Sequence, residues 1–255
     1  ALPIYEFTKN NGTRRTGILF KQEDSNLAPT IYLEEFYQKY LKGQQVPDLA
    51  DSICSIYQEI RVKKTCDCQN LFDFNHVKEH IVYKLIRRDS NEELLKQIPY
   101  EPFLDLAVVY YIQIDNTRFG SAAIQIRNEH LRYWRVEKEE IRRLAEKNTP
   151  RIYPVQIRQI VRFMYVATNE QCSLGAAVMR YPDFREKVRG MIRGDFYILP
   201  SSIHEVILVP ESFGLEPERM QEMVKEINQT GVALEEVLSD SVYYFDGEEI
   251  RIVAK

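Results

Sequence analysis

At 255 residues, with 44% hydrophobic and 28% charged residues, the chain is long enough to bury a full core and too apolar to be chiefly disordered. A net charge of −4 argues against bulk electrostatic binding of nucleic acid, and only 10 glycines leave little room for glycine-rich phosphate loops. Cys54, Cys66, Cys68 and Cys172 show no disulfide-framework spacing, which fits a reducing cytoplasm.

Residues 3–9 and 14–21 alternate like two strands, joined at Asn10-Asn11-Gly12, where Asn-Gly suits the positive φ angles of a type I′ turn. After a loop from Ser25 to Pro29, Leu33, Phe36, Tyr37, Tyr40 and Leu41 recur at helical spacing, and Gly43 ends the run. A second helix is expected from about Pro47, with Leu49, Ile53, Ile56, Tyr57 and Ile60 on one face. Residues 63–75 look irregular, and Ile81 to Ile86 fits either a strand or a helix end. Ser90 with Glu93 has the spacing of a capping box for a short helix that ends before Pro99.

From Phe103 long apolar strands take over. Val108–Ile114 with Gly120–Ile126, and Val161–Ala167 with Gly175–Arg180, look like two copies of a hairpin followed by a helix. Strands are then expected at Asp195–Leu199 and Ile203–Val209. The helix after them has Pro217 in its first turn, Met220, Met223, Val224 and Ile227 inward, and Gly231 past its end. A last hairpin turns on Asp246-Gly247.

Hairpins with helices set between them predict an α+β fold, antiparallel sheets flanked by helices. It divides into an N-terminal part (1–98) and a C-terminal part (99–255), or forms one continuous domain. The longest uncharged apolar stretch, Leu106 to Ile114, is about half of the ~20 residues a membrane-spanning helix needs, so a soluble protein is expected.

Several segments together are distinctive: Asn26-Leu27-Ala28-Pro29-Thr30-Ile31-Tyr32-Leu33, Phe103-Leu104-Asp105-Leu106-Ala107, and Asn148-Thr149-Pro150. To these add Pro200-Ser201-Ser202-Ile203-His204-Glu205-Val206-Ile207, and Glu236-Val237-Leu238-Ser239-Asp240 with Val242-Tyr243. Through them the chain resembles, over nearly its whole length, a family of uncharacterised proteins from clostridia and related Gram-positive bacteria, a domain of unknown function. The resemblance implies an intracellular bacterial protein without an established activity. It also implies a further N-terminal helix ahead of Ala1. Cys66 to His80 is not among the family's motifs.

Four constellations could carry chemistry. His76-Val77-Lys78-Glu79-His80 matches H-x-x-E-H, in which two histidines one turn apart bind zinc and the glutamate acts as base, but no third ligand is nominated. The same histidines with Cys66 and Cys68 spell C-x-C-x7-H-x3-H, a small structural zinc set whose first pair is tighter than the usual spacing. Ser202, His204 and Glu205 invite a hydrolase reading. On a strand, however, Ser202 and His204 would share one face while Glu205 points to the other. Asp105 would be a buried carboxylate, which usually pairs or caps a turn and only sometimes serves catalysis.

Charge is uneven. Arg127, Arg132, Arg135, Arg142, Arg143, Lys147, Arg151, Arg158 and Arg162 crowd the middle, while the end is rich in glutamate. That fits solvated helix faces with i,i+4 pairing; the alternative is a basic surface for an acidic partner, or for the acidic end of another copy. The expectation is a non-enzymatic cytoplasmic protein that binds another protein. No cofactor, nucleic acid or membrane is expected, and the oligomeric state is left open.

Overall fold

A computed structural model of the chain describes residues 3–20, 30–60, 73–117 and 120–255. Cys66 and Cys68, the Ser25–Pro29 loop and most of the 63–75 stretch lie outside the described residues. The fold is α+β, with three antiparallel sheets.

The first sheet runs β1 (Ile4–Thr8), β2 (Arg14–Leu19), β3 (Thr30–Tyr32). Asn11 and Gly12, at φ 57° and 68°, supply the positive angles of the turn between β1 and β2. Helices α1 (Glu34–Leu41) and α2 (Val46–Ile60) follow, and Phe20, Ile31, Phe36 and Leu49 form a small core under this sheet. The stripe expected on α1 is largely outward: Phe36 is buried, while Tyr37, Tyr40 and Leu41 are exposed.

The short α3 (Phe74–Val77) leads into β4 (Ile81–Arg87), which settles the choice at 81–86 for a strand. The short helix after it, α4 (Glu92–Leu95), is not closed by the expected capping box. Ser90 Oγ donates to Asp89 instead, and Asn91 donates to the Arg87 carbonyl and to Asn11.

β6 (Leu106–Thr117) is the backbone of the second sheet. β4 pairs along one edge of it; β5 (Tyr100–Phe103) and β7 (Gly120–Gln125) lie end to end along the other. β4 precedes residue 98 and β6 follows it, so the two segments of the chain share this sheet. Helices α5 (Asn128–Trp134) and α6 (Lys138–Ile152) connect to the third sheet.

That sheet has the order β13-β12-β10-β11-β9-β8. Its strands are β8 (Val155–Val161), β9 (Met164–Asn169), β10 (Phe196–Leu199), β11 (Val206–Pro210), β12 (Val242–Phe245) and β13 (Ile250–Ala254). Helix α7 (Phe184–Met191) precedes β10, and α8 (Pro217–Thr230) precedes β12 with Pro217 in its first turn and Met220 and Val224 buried. The main core joins the second and third sheets through Tyr83, Tyr110, Phe184, Phe196, Tyr243 and Phe245.

Two expectations are corrected here. The hairpin-plus-helix unit is not duplicated: β6 does pair with β7, but β9 pairs with β8 and β11, and Gly175–Arg180 is a buried 3-10 helix. An apolar run such as Gly-Ala-Ala-Val-Met suits any buried backbone, and here the close approach of Gly175 to its neighbours decides the form. Likewise the strand expected from Ile203 begins only at Val206, because Ser202 to Glu205 closes into a turn.

Candidate functional site

The turn before β11 is held by the serine and histidine themselves. Ser202 N–H donates to the Glu205 carbonyl at 3.3 Å, and the His204 amide donates to Ser202 Oγ at 3.0 Å. A serine hydroxyl that accepts from the backbone two residues on is a local turn device, and it draws these residues out of the strand ladder. Ser202 is thus bonded to the main chain of His204 and not to its imidazole.

The imidazole reaches elsewhere. Nδ1 of His204 accepts the Leu174 N–H at 3.1 Å, and Nε2 lies 3.4 Å from Glu236 Oε1. A ring nitrogen that accepts carries no proton, so Nε2 bears it and faces the carboxylate. Leu174 sits at φ 54° and Cys172 at φ 51°, so this histidine fixes a backbone stretch held in the left-handed region. Thr168 Oγ1 donates to the His204 carbonyl at 2.7 Å. Gly175 is wedged between these partners: a Cβ there would stand 2.1 Å from Thr168 Oγ1 and 2.5 Å from the His204 oxygen. The Glu205 side chain bonds to neither Ser202 nor His204.

Asp105 occupies the two-residue turn between β5 and β6, beside Leu104 at φ 55°. Its Oδ2 accepts from Ser239 Oγ at 2.5 Å and Ser241 Oγ at 2.8 Å; its Oδ1 accepts from Tyr243 OH at 2.6 Å. Three hydroxyls therefore hold one carboxylate. Burial, and then the adjacent Asp105 carboxylate, push the Tyr243 phenol well above its usual range. Next to them Arg87 pairs with both Asp89 and Asp240, and Asn228 donates to Asp240 and to the Ser239 carbonyl.

The segment around 234–243 thus collects the candidates without joining them. Glu236 meets His204, and Ser239 meets Asp105, but no hydrogen bond or ion pair links Asp105 with Ser202 or His204. Asn10 and Asn11 clamp the same segment by donating to the carbonyls of Glu235, Leu234 and Val237. Ser239, Ser241 and Tyr243 went unnoticed as a set in the sequence. Their spacing of two was the available signal, since alternate residues of an extended segment share a face.

Of the zinc candidates, His76 lies on α3 and His80 in the 3-10 turn after it, while Cys66 and Cys68 are outside the described residues. Glu79, the base of the H-x-x-E-H reading, faces Lys147 at 3.9 Å and Arg151 at 4.0 Å. Among the described residues, no three His, Cys, Asp or Glu side chains are grouped to hold a metal.

The basic middle of the chain is not uniform; Arg158 on β8 and Arg162 just after it form no ion pair among the described residues. On α6 four cations have a carboxylate: Arg142 with Glu101, Arg143 with Glu140, Lys147 and Arg151 with Glu79; Lys138, at its start, donates instead to the Tyr100 carbonyl. Around α5 it is otherwise. Arg127, Arg132 and Arg135 are exposed along a cleft of about 670 Å³ that Lys96, Glu129 and Glu137 also line. Among the described residues none of these three arginines forms an ion pair. Arg127 donates to the Gln97 side chain at 2.9 Å, and its amide donates to His130 Nδ1 at 3.1 Å. Burial and the neighbouring Arg127 guanidinium hold the His130 imidazole below its usual range.

An α+β protein in which the candidate polar groups tie chain segments together, with a cationic cleft beside α5, is what fold and site define. The chain belongs to the family of unknown function DUF5688, whose model matches residues 1–164 and 160–247. No curated protein and no solved structure matches it. Among the described residues no helix is long and apolar enough to cross a membrane.

Proposed function

We propose that the chain is a non-enzymatic protein of the bacterial cytoplasm that binds another protein. The observation that carries this reading is the commitment of the reactive-looking groups. The Ser202 hydroxyl is occupied by a backbone amide, His204 by Leu174 and Glu236, and Asp105 by three hydroxyls. A hydrolytic site needs a nucleophile bonded to its base and an open position for the reacting atom beside both. Here serine and imidazole are turned to separate structural tasks. The exposed thiols of Cys54 and Cys172, both unpaired, suit a reducing compartment, and the clostridial resemblance favours a bacterial one.

Affinity purification of the full-length protein from its native host tests the reading, run beside a broad hydrolase screen. A partner enriched above background with no turnover is expected. Turnover that Ser202→Ala or His204→Ala abolishes, with no partner recovered, would replace this reading with a hydrolase.

A further inference from the structure

We infer that the cleft beside α5 is a docking site for an acidic segment of a partner protein, a deepening that rests on the protein-binding reading above. The contrast along the chain motivates it. Arg142, Arg143, Lys147 and Arg151 on α6 each face a carboxylate within 4.0 Å, the last two sharing Glu79, yet Arg127, Arg132 and Arg135 form no ion pair among the described residues although Glu129 and Glu137 line the same cleft. Guanidinium groups take carboxylates two bonds at a time, so unpaired arginines flanking one concavity suit an anionic occupant.

The cleft is also built. Gln97 fixes the Arg127 head, His130 holds its amide, and Asn128 bonds to the Gln97 carbonyl through its amide and to the Lys96 carbonyl through its side chain. On the inner side of α5, Trp134 stacks on His130 and packs against Phe74, so the helix that carries Arg132 rests on the core. A volume of about 670 Å³ is within the range of sites that enclose a ligand.

The lining also selects the kind of anion. Leu131 and Val136 give an apolar floor, and there is no aromatic ring in the lining for a base to stack on. Glu129 and Glu137 would repel a continuous phosphodiester run but tolerate carboxylates spaced by other side chains. The occupant that fits is a short peptide segment with glutamates or aspartates set around an apolar residue.

The test is fluorescence anisotropy with the full chain. The probes are a labelled short peptide of alternating glutamate and leucine, the same peptide with glutamine for glutamate, and a labelled single-stranded oligonucleotide. Binding of the acidic peptide alone is expected, weakened by salt and about tenfold weaker in the Arg132→Glu/Arg135→Glu protein. Arg132→Lys/Arg135→Lys is expected to retain part of the affinity, since lysine keeps the charge and loses the fork. Both positions are exposed, so circular dichroism should show the variants folded. Equal affinity of parent and charge-reversed protein, or tighter binding of the oligonucleotide, would overturn the inference. So would salt-sensitive oligomers of the protein alone that vanish in the double variant, since a second copy would then fill the cleft. If a native partner is captured equally by parent and double variant, protein binding stands and the cleft loses its role.

Discussion

The imidazole of His204 and the backbone of Leu174, 30 residues apart in sequence, are joined by a hydrogen bond of 3.1 Å in which the ring nitrogen accepts. This fixes the tautomer: Nδ1 bare, Nε2–H toward Glu236. Nitrogen-15 NMR of the histidine side chains at neutral pH is expected to show that tautomer for His204. A proton on Nδ1 would remove one of the bonds that anchor the 170–175 loop, beside those that Asn169 makes to Gln171 and Ser173.

Gly175 is predicted to tolerate no side chain. Gly175→Ala would place Cβ at 2.1 Å from Thr168 Oγ1, 2.5 Å from the His204 carbonyl oxygen and 2.8 Å from the Asn169 nitrogen. Two of these are backbone atoms, so a smaller residue at 168 cannot relieve the clash. Overpacking of this kind costs about 1–3 kcal/mol or more, and the urea midpoint should fall accordingly. An unchanged midpoint would mean the 3-10 helix is not seated as described.

Asp105→Asn keeps the size of the side chain but presents an amide where two serine hydroxyls and one phenol now converge. One NH2 group would face donors, leaving at least one buried hydroxyl without an acceptor, at a cost of about 1–3 kcal/mol. Asp105→Asn combined with Tyr243→Phe should cost less than the sum of the two single changes, because the residues share one network. Strict additivity in denaturant titrations would contradict the network.

Alkaline pH should unfold the protein readily. Burial raises the phenols of Tyr83, Tyr110, Tyr111, Tyr181 and Tyr243 above the usual value near 10, each with burial as the first cause. A raised phenol keeps its proton in the folded chain while the unfolded chain ionises. The stability contribution is therefore whole below about pH 10 and is lost as pH rises beyond it. Denaturant midpoints measured from about pH 8 upward should stay level and then drop, with phenolate absorbance appearing together with unfolding. Phenolate absorbance rising in full before any loss of structure would show these tyrosines to be solvent-accessible.

Zinc analysis is a further check. The account expects no stoichiometric metal in the purified full chain. About one zinc per chain, lost in Cys66→Ser or His76→Ala, would assign Cys66, Cys68, His76 and His80 as a structural site.

Much of the fold was legible in local pattern. Asn11-Gly12 demanded positive φ, Pro217 and Gly231 bracketed α8, and Asp246-Gly247 marked the last hairpin, because each signal is a backbone constraint held within a few residues. What failed was settled by distant partners. Gly175–Arg180 has the composition of a strand, but the approach of Thr168 and the His204 carbonyl to Gly175 decides its form. Tyr37, Tyr40 and Leu41 have the spacing of a buried stripe and stand exposed, since nothing among the described residues covers that face of α1. Of the candidate site, the sequence drew the eye to Ser202, His204 and Asp105, but not to their surroundings: Asp105 is half-buried in a turn among three hydroxyls, and His204 is partly exposed beside Glu236. Their partners were out of reach: Ser239 and Tyr243 lie 134 and 138 positions from Asp105.

The central claim, that the polar groups around His204 hold the fold together and do not perform chemistry, is tested most directly by thermal melts of the parent and His204→Ala run side by side. Losing the ring leaves the Leu174 N–H without its acceptor, a cost of about 1–3 kcal/mol, or a midpoint lower by roughly 2–10 °C in a chain of this size. Far-ultraviolet circular dichroism and affinity for the acidic peptide should be retained. His204→Asn, whose side-chain oxygen can stand near the position of Nδ1, should recover part of the loss. An unchanged midpoint with binding or turnover abolished would contradict the account and make His204 a functional residue.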